Sequence, residues 1–148
     1  MSATRNVAIF IFDDVEVLDF CGPYEVFSVT GRRAGQEPFH VFTCAEKAGP
    51  VFARNQLSVN PRYTLATAPR ADILVIPGGF GTRREMNNSV ILEWLQQSAR
   101  DAEIVLSVCT GALILGKAGL LNGLTATTHF GAIELLRETA PGATVRDN

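Results

Sequence analysis

Cys109 stands where an apolar, strand-like run, Glu103-Ile104-Val105-Leu106-Ser107-Val108, meets a helix-like run that begins Thr110-Gly111-Ala112-Leu113. Small residues lie two positions before it, Ser107, and two after it, Gly111. A sharp strand-to-helix turn exposes one side chain and tolerates only small neighbours at its close approaches. The pattern is that of a nucleophile elbow with Cys in place of Ser. A thiol at a helix N-terminus also meets the positive end of the helix dipole and unpaired N–H groups, which predicts a pKa below that of free cysteine. The competing reading is a cysteine that packs as a small hydrophobe. Cys44, within a strand-like run, fits that second reading, and the junction position of Cys109 favours the first.

A nucleophilic thiol needs a proton partner, and open α/β sheets gather ligands at the carboxyl ends of their strands. Glu16 and Asp19 lie in the segment after the first apolar run, so both can reach that edge. An acidic loop residue is ordinarily a solvated charge or a helix cap. Asp19, set in Val17-Leu18-Asp19-Phe20-Cys21-Gly22-Pro23, has apolar surroundings that predict partial burial and a raised carboxyl pKa suited to a general acid. Pro77-Gly78-Gly79 ends another apolar run at the same edge; the glycines let backbone N–H groups approach a ligand, as one wall of an anion or oxyanion pocket, or simply make a turn. His129 falls at the end of a short β-branched run, placed to orient the thiol or to pack.

The elements that must position these residues follow from periodicity. Val7–Phe12, Phe39–Ala45, Asp72–Ile76 and Glu103–Val108 read as strands, with Thr125–Thr128 and Ala143–Arg146 as shorter ones. Gly49–Asn60 reads as a hairpin-like excursion. Helices are expected over about Tyr24–Thr30 with Pro23 in the first turn, Ser89–Ala102 capped by Asn87 or Asn88, Thr110–Ala118 stopped by Gly119, and Phe130–Thr139. Strands alternating with helices predict βαβ units, hence an α/β fold with a mainly parallel sheet sandwiched by helices.

Composition bounds the function. With 148 residues, 47% hydrophobic and 19% charged, the chain fits one globular domain rather than a disordered segment. Thirteen Lys and Arg against fifteen Asp and Glu leave no basic excess for nucleic acid. No apolar run reaches the ~20 residues of a membrane helix, so a cytoplasmic protein is expected. Three cysteines (Cys21, Cys44, Cys109) with only two His indicate neither a disulfide framework nor a metal centre.

Together, Ile11-Phe12-Asp13-Asp14-Val15-Glu16-Val17-Leu18-Asp19-Phe20-Cys21-Gly22-Pro23-Tyr24-Glu25-Val26-Phe27, Ile76-Pro77-Gly78-Gly79, and the run from Ser107-Val108-Cys109-Thr110-Gly111 through Asn122-Gly123 to Ala126-Thr127-Thr128-His129 resemble the ThiJ/PfpI superfamily. The resemblance implies the flavodoxin-like, class I glutamine amidotransferase-like fold. The Leu-Asp-x-x-Gly-Pro segment with the Ser-Val-Cys-Thr-Gly elbow is most similar to the isocyanide hydratase branch and to the amidase-like domains of AraC-type regulators. It implies Cys109 as nucleophile, Asp19 as its carboxyl partner, Thr110 as the elbow threonine, and an N–H pocket from Gly79 and Thr110. The substrate-binding set is completed by Gly78, Gly111, Glu16 and His129. Thr110 occupies the position where peptidase-like members carry a catalytic His, which argues against a Cys–His peptidase.

The resemblance implies hydration of an isocyanide to an N-substituted formamide, with no cofactor, a small-molecule substrate and a homodimer. Two other readings compete: a small-molecule-sensing domain of an AraC-type regulator, in which Cys109 is a relic or redox sensor, and a cofactor-free glyoxalase or deglycase. The superfamily domain usually continues beyond the position of Asn148 with a hairpin and a long helix. Residues 1–148 are therefore expected to form a single domain lacking its usual C-terminal segment.

Overall fold

The computed structural model describes residues 3–147. Its framework is a five-stranded parallel sheet of β1 (Arg5–Phe10), β2 (Phe39–Ala45), β5 (Tyr63–Thr64), β6 (Ile73–Ile76) and β7 (Ile104–Ser107), in the order β5-β2-β1-β6-β7. β3 (Val51–Phe52) and β4 (Ser58–Val59) form the expected antiparallel excursion, and β8 (Thr125–Ala126) pairs in parallel with β9 (Thr144–Val145). The continuous apolar runs of β1 and β6 bury both faces: Val7, Ile9, Leu74, Val75 and Ile76 are fully enclosed. β1 and β6 are neighbours whose connections leave in opposite directions, so the crevice beyond their carboxyl ends is the switch point where such sheets hold ligands.

The helices are α1 (Val17–Val29), α2 (Thr82–Glu85), α3 (Ser89–Asp101), α4 (Gly111–Lys117) and α5 (Ile133–Thr139). Asn88 caps α3, its side chain accepting from the Val90 N–H. Gly119 takes the left-handed conformation that stops α4. Every residue of α4 except Lys117 is buried, which explains its unbroken apolar sequence.

One boundary departs from expectation in a way that matters for the site, and one short helix is added. α1 begins at Val17, not near Tyr24, and Pro23 lies inside it. The Glu16 N–H is tied to Gly78 O at 2.9 Å and the Asp19 N–H to Glu16 O at 3.2 Å, so tertiary bonding starts the helix early. The proline costs only the bond its missing N–H would make to the Asp19 carbonyl. Asp19 thereby lies in the first helical turn instead of a loop. α2, which no periodicity marks, is a single turn after Gly81. At the far edge, β7 has only β6 beside it among the described residues, and Ile104 and Leu106 are 46% and 38% exposed. No helix among the described residues is long and apolar enough to cross a membrane.

Candidate active site

Cys109 adopts φ +53°, the left-handed conformation that costs a non-glycine residue about 1–3 kcal/mol. Hydrogen bonds on both flanks hold it there. The Val108 N–H donates to Ile76 O at 3.1 Å, and the Thr128 hydroxyl donates to Cys109 O at 2.8 Å. Gly111 completes the elbow: a Cβ there would lie 2.0 Å from Ile76 O, so only glycine lets the start of α4 pass over the end of β6. Cys109 is half-buried, whereas Cys44 is enclosed in β2 with its thiol pushed up to about 12 by burial.

Asp19 reaches the same point from α1. The Gly78 N–H donates to its Oδ2 at 3.1 Å. Burial lifts the carboxyl above the ordinary carboxylate range. The Gly78 hydrogen bond opposes the rise and the Glu16 charge adds to it, while the nearby Cys109 thiol and the charge of His129 pull back. The expected raised acid is therefore present, with burial as its main cause.

The thiol behaves differently from the sequence expectation. Cys109 is raised, not lowered: burial dominates, the Thr110 N–H opposes it, the Asp19 charge adds, the Thr110 hydroxyl opposes, and the Glu16 charge adds. One N–H and one hydroxyl at the helix start do not outweigh desolvation and two neighbouring carboxylates.

Thr110 is the hub of a buried hydroxyl cluster. The Gly79 N–H donates to Thr110 Oγ1 at 3.0 Å, the Thr82 hydroxyl lies 3.2 Å from the same oxygen, and the Thr82 hydroxyl also reaches Gly79 O at 2.8 Å. Gly78 and Gly79 are packed too tightly for side chains. A Cβ on Gly78 would lie 2.8 Å from Asp19 Oδ2, and one on Gly79 2.3 Å from Asp14 O. These contacts change the expected pocket: the Gly78 N–H is committed to Asp19 and the Gly79 N–H to Thr110. The glycines thus position the acid and the elbow rather than offering free donors for an oxyanion.

Glu16 joins the group by charge. His129 does so only weakly: its Nδ1 accepts the Gly131 N–H at 3.1 Å, capping a 3-10 turn over Phe130–Ala132, and the residue is exposed. Two contributors that the sequence does not flag are Thr82 and Thr128. Thr128 lies in a β-branched run that reads as strand, and Thr82 follows a turn glycine with no other mark. Among the described residues, no group of three or more His, Cys, Asp or Glu is placed to hold a metal ion.

The sequence profile of the DJ-1/PfpI family matches residues 5–148. The chain belongs to the DJ-1/PfpI family. Among its family relatives, an isonitrile hydratase of Pseudomonas putida is 35% identical over 131 residues, spanning 88% of this chain and 55% of that protein. The HTH-type transcriptional regulator CdhR of Pseudomonas aeruginosa is 32% identical over 130 residues, covering 87% of this chain and 38% of that protein. The crystal structure of a ThiJ/PfpI family protein from Pseudomonas syringae superposes with a TM-score of 0.86 at 28% identity, covering 99% of this chain and 58% of that one. This DJ-1/PfpI chain therefore spans about half the length of the hydratase and less of the regulator. The mainly parallel sheet with flanking helices is the fold it shares with these neighbours.

Proposed function

We propose that the chain is a cysteine-dependent isocyanide hydratase-like enzyme acting on a small molecule. The observation that carries this reading is the convergence of the Cys109 elbow with Asp19, a carboxyl held by the Gly78 N–H at 3.1 Å, raised by burial, and close enough for its charge to raise the thiol. Burial raises both groups, and the Asp19 charge further favours the protonated thiol, so the thiol carries the proton that addition to an isocyanide needs and Asp19 can pass it on. The sulfur attacks the terminal carbon of R–N≡C, the thiol proton passes to Asp19, and Asp19 delivers a proton to that carbon, leaving a thioimidate, R–N=CH–S–Cys109. Water then adds to the same carbon with Asp19 taking and returning its proton. The C–S bond breaks, the nitrogen gains a proton, and R–NH–CHO leaves with the thiol restored.

The similarity to a named isonitrile hydratase supports this chemistry, and similarity to a regulator supports a sensing role as the second reading. Three free cysteines suit a reducing cytoplasm, and Leu18 and Val26, 75% and 64% exposed on α1, suit a homodimer. The test is formamide release from an aryl isocyanide by wild type, Cys109→Ala and Asp19→Asn. Turnover by wild type that both substitutions abolish is expected; no turnover, or equal turnover by all three, overturns the reading and leaves the sensor.

A further inference from the structure

Immediately outside Gly79, the exposed ring of Phe80 is flanked by two guanidinium groups. Arg54 Cζ lies 4.3 Å from the ring centroid and Arg83 Cζ 5.8 Å from it. Both arginines are tied to the site by short links. The Arg54 N–H donates to Val15 O at 2.9 Å, one residue from Glu16, and the turn that carries Arg54 is held by positive φ at Asn55 and Gln56. Arg83 Nη1 donates to Gly79 O at 3.3 Å and to the Thr82 hydroxyl at 3.2 Å. Phe80 itself is 63% exposed.

The charges of these arginines are uncompensated. Among the described residues neither guanidinium lies within ion-pair distance of a carboxylate, although Asp13, Asp14, Glu16 and Asp19 are all in the adjoining segment. Arg84, next in the chain, does pair, with Glu85. A guanidinium stacked on a ring keeps its edge N–H groups free to bind a carboxylate in its plane, and the ring limits the side-chain freedom that binding would otherwise have to remove. Arg54 close over the exposed ring, with Arg83 beside it keeping the N–H groups that its Nη1 contacts leave unused, makes a receptor for a planar group bearing a negative charge.

We propose that Arg54, Phe80 and Arg83 select substrates that carry a carboxylate on the side away from the carbon attacked by Cys109. This rests on the hydratase reading only in taking Cys109 as the reacting group. The charge pattern agrees: the Glu16 and Asp19 charges act on the thiol and disfavour an anion there. Arg54 and Arg83 flank Phe80, the residue after Gly79, an arrangement that suits a substrate neutral at its reacting end and anionic at its distal end.

The experiment compares 4-isocyanobenzoate with phenyl isocyanide as substrates, and N-(4-carboxyphenyl)maleimide with N-phenylmaleimide as alkylating agents of Cys109, located by peptide mass mapping. The expected result is a rate ratio favouring the carboxylate by roughly three- to tenfold, falling with added salt and collapsing towards unity in Arg54→Gln and in Arg54→Gln/Arg83→Gln. Each neutral probe corrects for any general loss of site integrity. Arg54→Gln alone leaves the Arg83 contact with Gly79 intact. A ratio near unity in wild type, or one that persists in the double variant, overturns the proposal. Failure of both isocyanides to turn over counts against the hydratase instead, because the maleimide ratio still reads the receptor.

Discussion

The Gly79 N–H donates to the Thr110 hydroxyl across 3.0 Å, joining the turn that leaves β6 to the residue that follows Cys109. The two segments that frame Cys109 are thus locked to one another by one oxygen, which also meets the Thr82 hydroxyl. Removing that oxygen leaves a buried N–H without an acceptor.

Thr110→Val, which keeps the shape and loses the hydroxyl, is expected to lower stability by about 1–3 kcal/mol. Thr110→Ser should recover most of it. Urea unfolding midpoints of the three proteins check this, and equal midpoints for the Val variant and wild type would show that the bond contributes nothing.

The thiol of Cys109 is expected to titrate above a free cysteine. Glu16→Gln and Asp19→Asn each remove a negative charge that favours the protonated thiol, so each should lower its pKa and speed alkylation by iodoacetamide at pH 7 severalfold. The rate of modification against pH, followed at Cys109 alone, measures both effects. An unchanged profile in both variants would contradict the electrostatic assignment.

Asp19 also links stability to pH. Its folded carboxyl is raised, so the native state binds the proton more tightly than the unfolded chain. The corresponding stabilisation is full below the ordinary carboxylate range and is lost as pH rises through the raised value. Asp19→Asn does not titrate and can still accept the Gly78 N–H. Its stability relative to wild type should therefore increase from pH 3 to pH 7, as read by denaturant midpoints at the two pH values; a constant difference would refute the linkage.

The three cysteines should separate by reactivity. Cys21 is exposed and Cys109 half-buried, whereas Cys44 is enclosed with its thiol near 12. A disulfide reagent should modify two thiols in the native protein and the third only on unfolding. Native modification of Cys44 would mean that β2 opens more readily than its burial implies.

Gly111→Ala is expected to disrupt the elbow, since the new Cβ would fall 2.0 Å from Ile76 O and backbone cannot step aside cheaply. A loss of about 3 kcal/mol or more follows, together with a changed alkylation rate at Cys109. Thermal melting and the same alkylation assay check both consequences.

Much of this architecture is legible in the residues themselves. The apolar runs at β1, β2, β6 and β7 mark strands, and the small residues around Cys109 mark a sharp turn, because local sterics dictate both. The start of α1 is not legible: Pro23 argues for a helix beginning there, and only the bond from Glu16 to Gly78, made across the fold, places the start at Val17. The direction of the Cys109 shift is hidden for the same reason. A helix terminus can be read locally, while desolvation and the charges of Asp19 and Glu16 exist only after α1 has packed beside the elbow. Thr82 and Thr128 become identifiable only when their hydroxyls find Gly79 and Cys109.

Gly79 and Phe80 are adjacent in the chain yet opposite in what they tolerate. At Gly79 any side chain collides with the backbone of Asp14, whereas Phe80 is 63% exposed between the guanidinium groups of Arg54 and Arg83. Under the proposed receptor, positions 54 and 80 can therefore change what is recognised while the contacts that fix Asp19 and Cys109 stay in place. On that proposal the scaffold could diversify its ligands without re-evolving its chemistry, and those two positions are the place to begin a library that seeks new substrates.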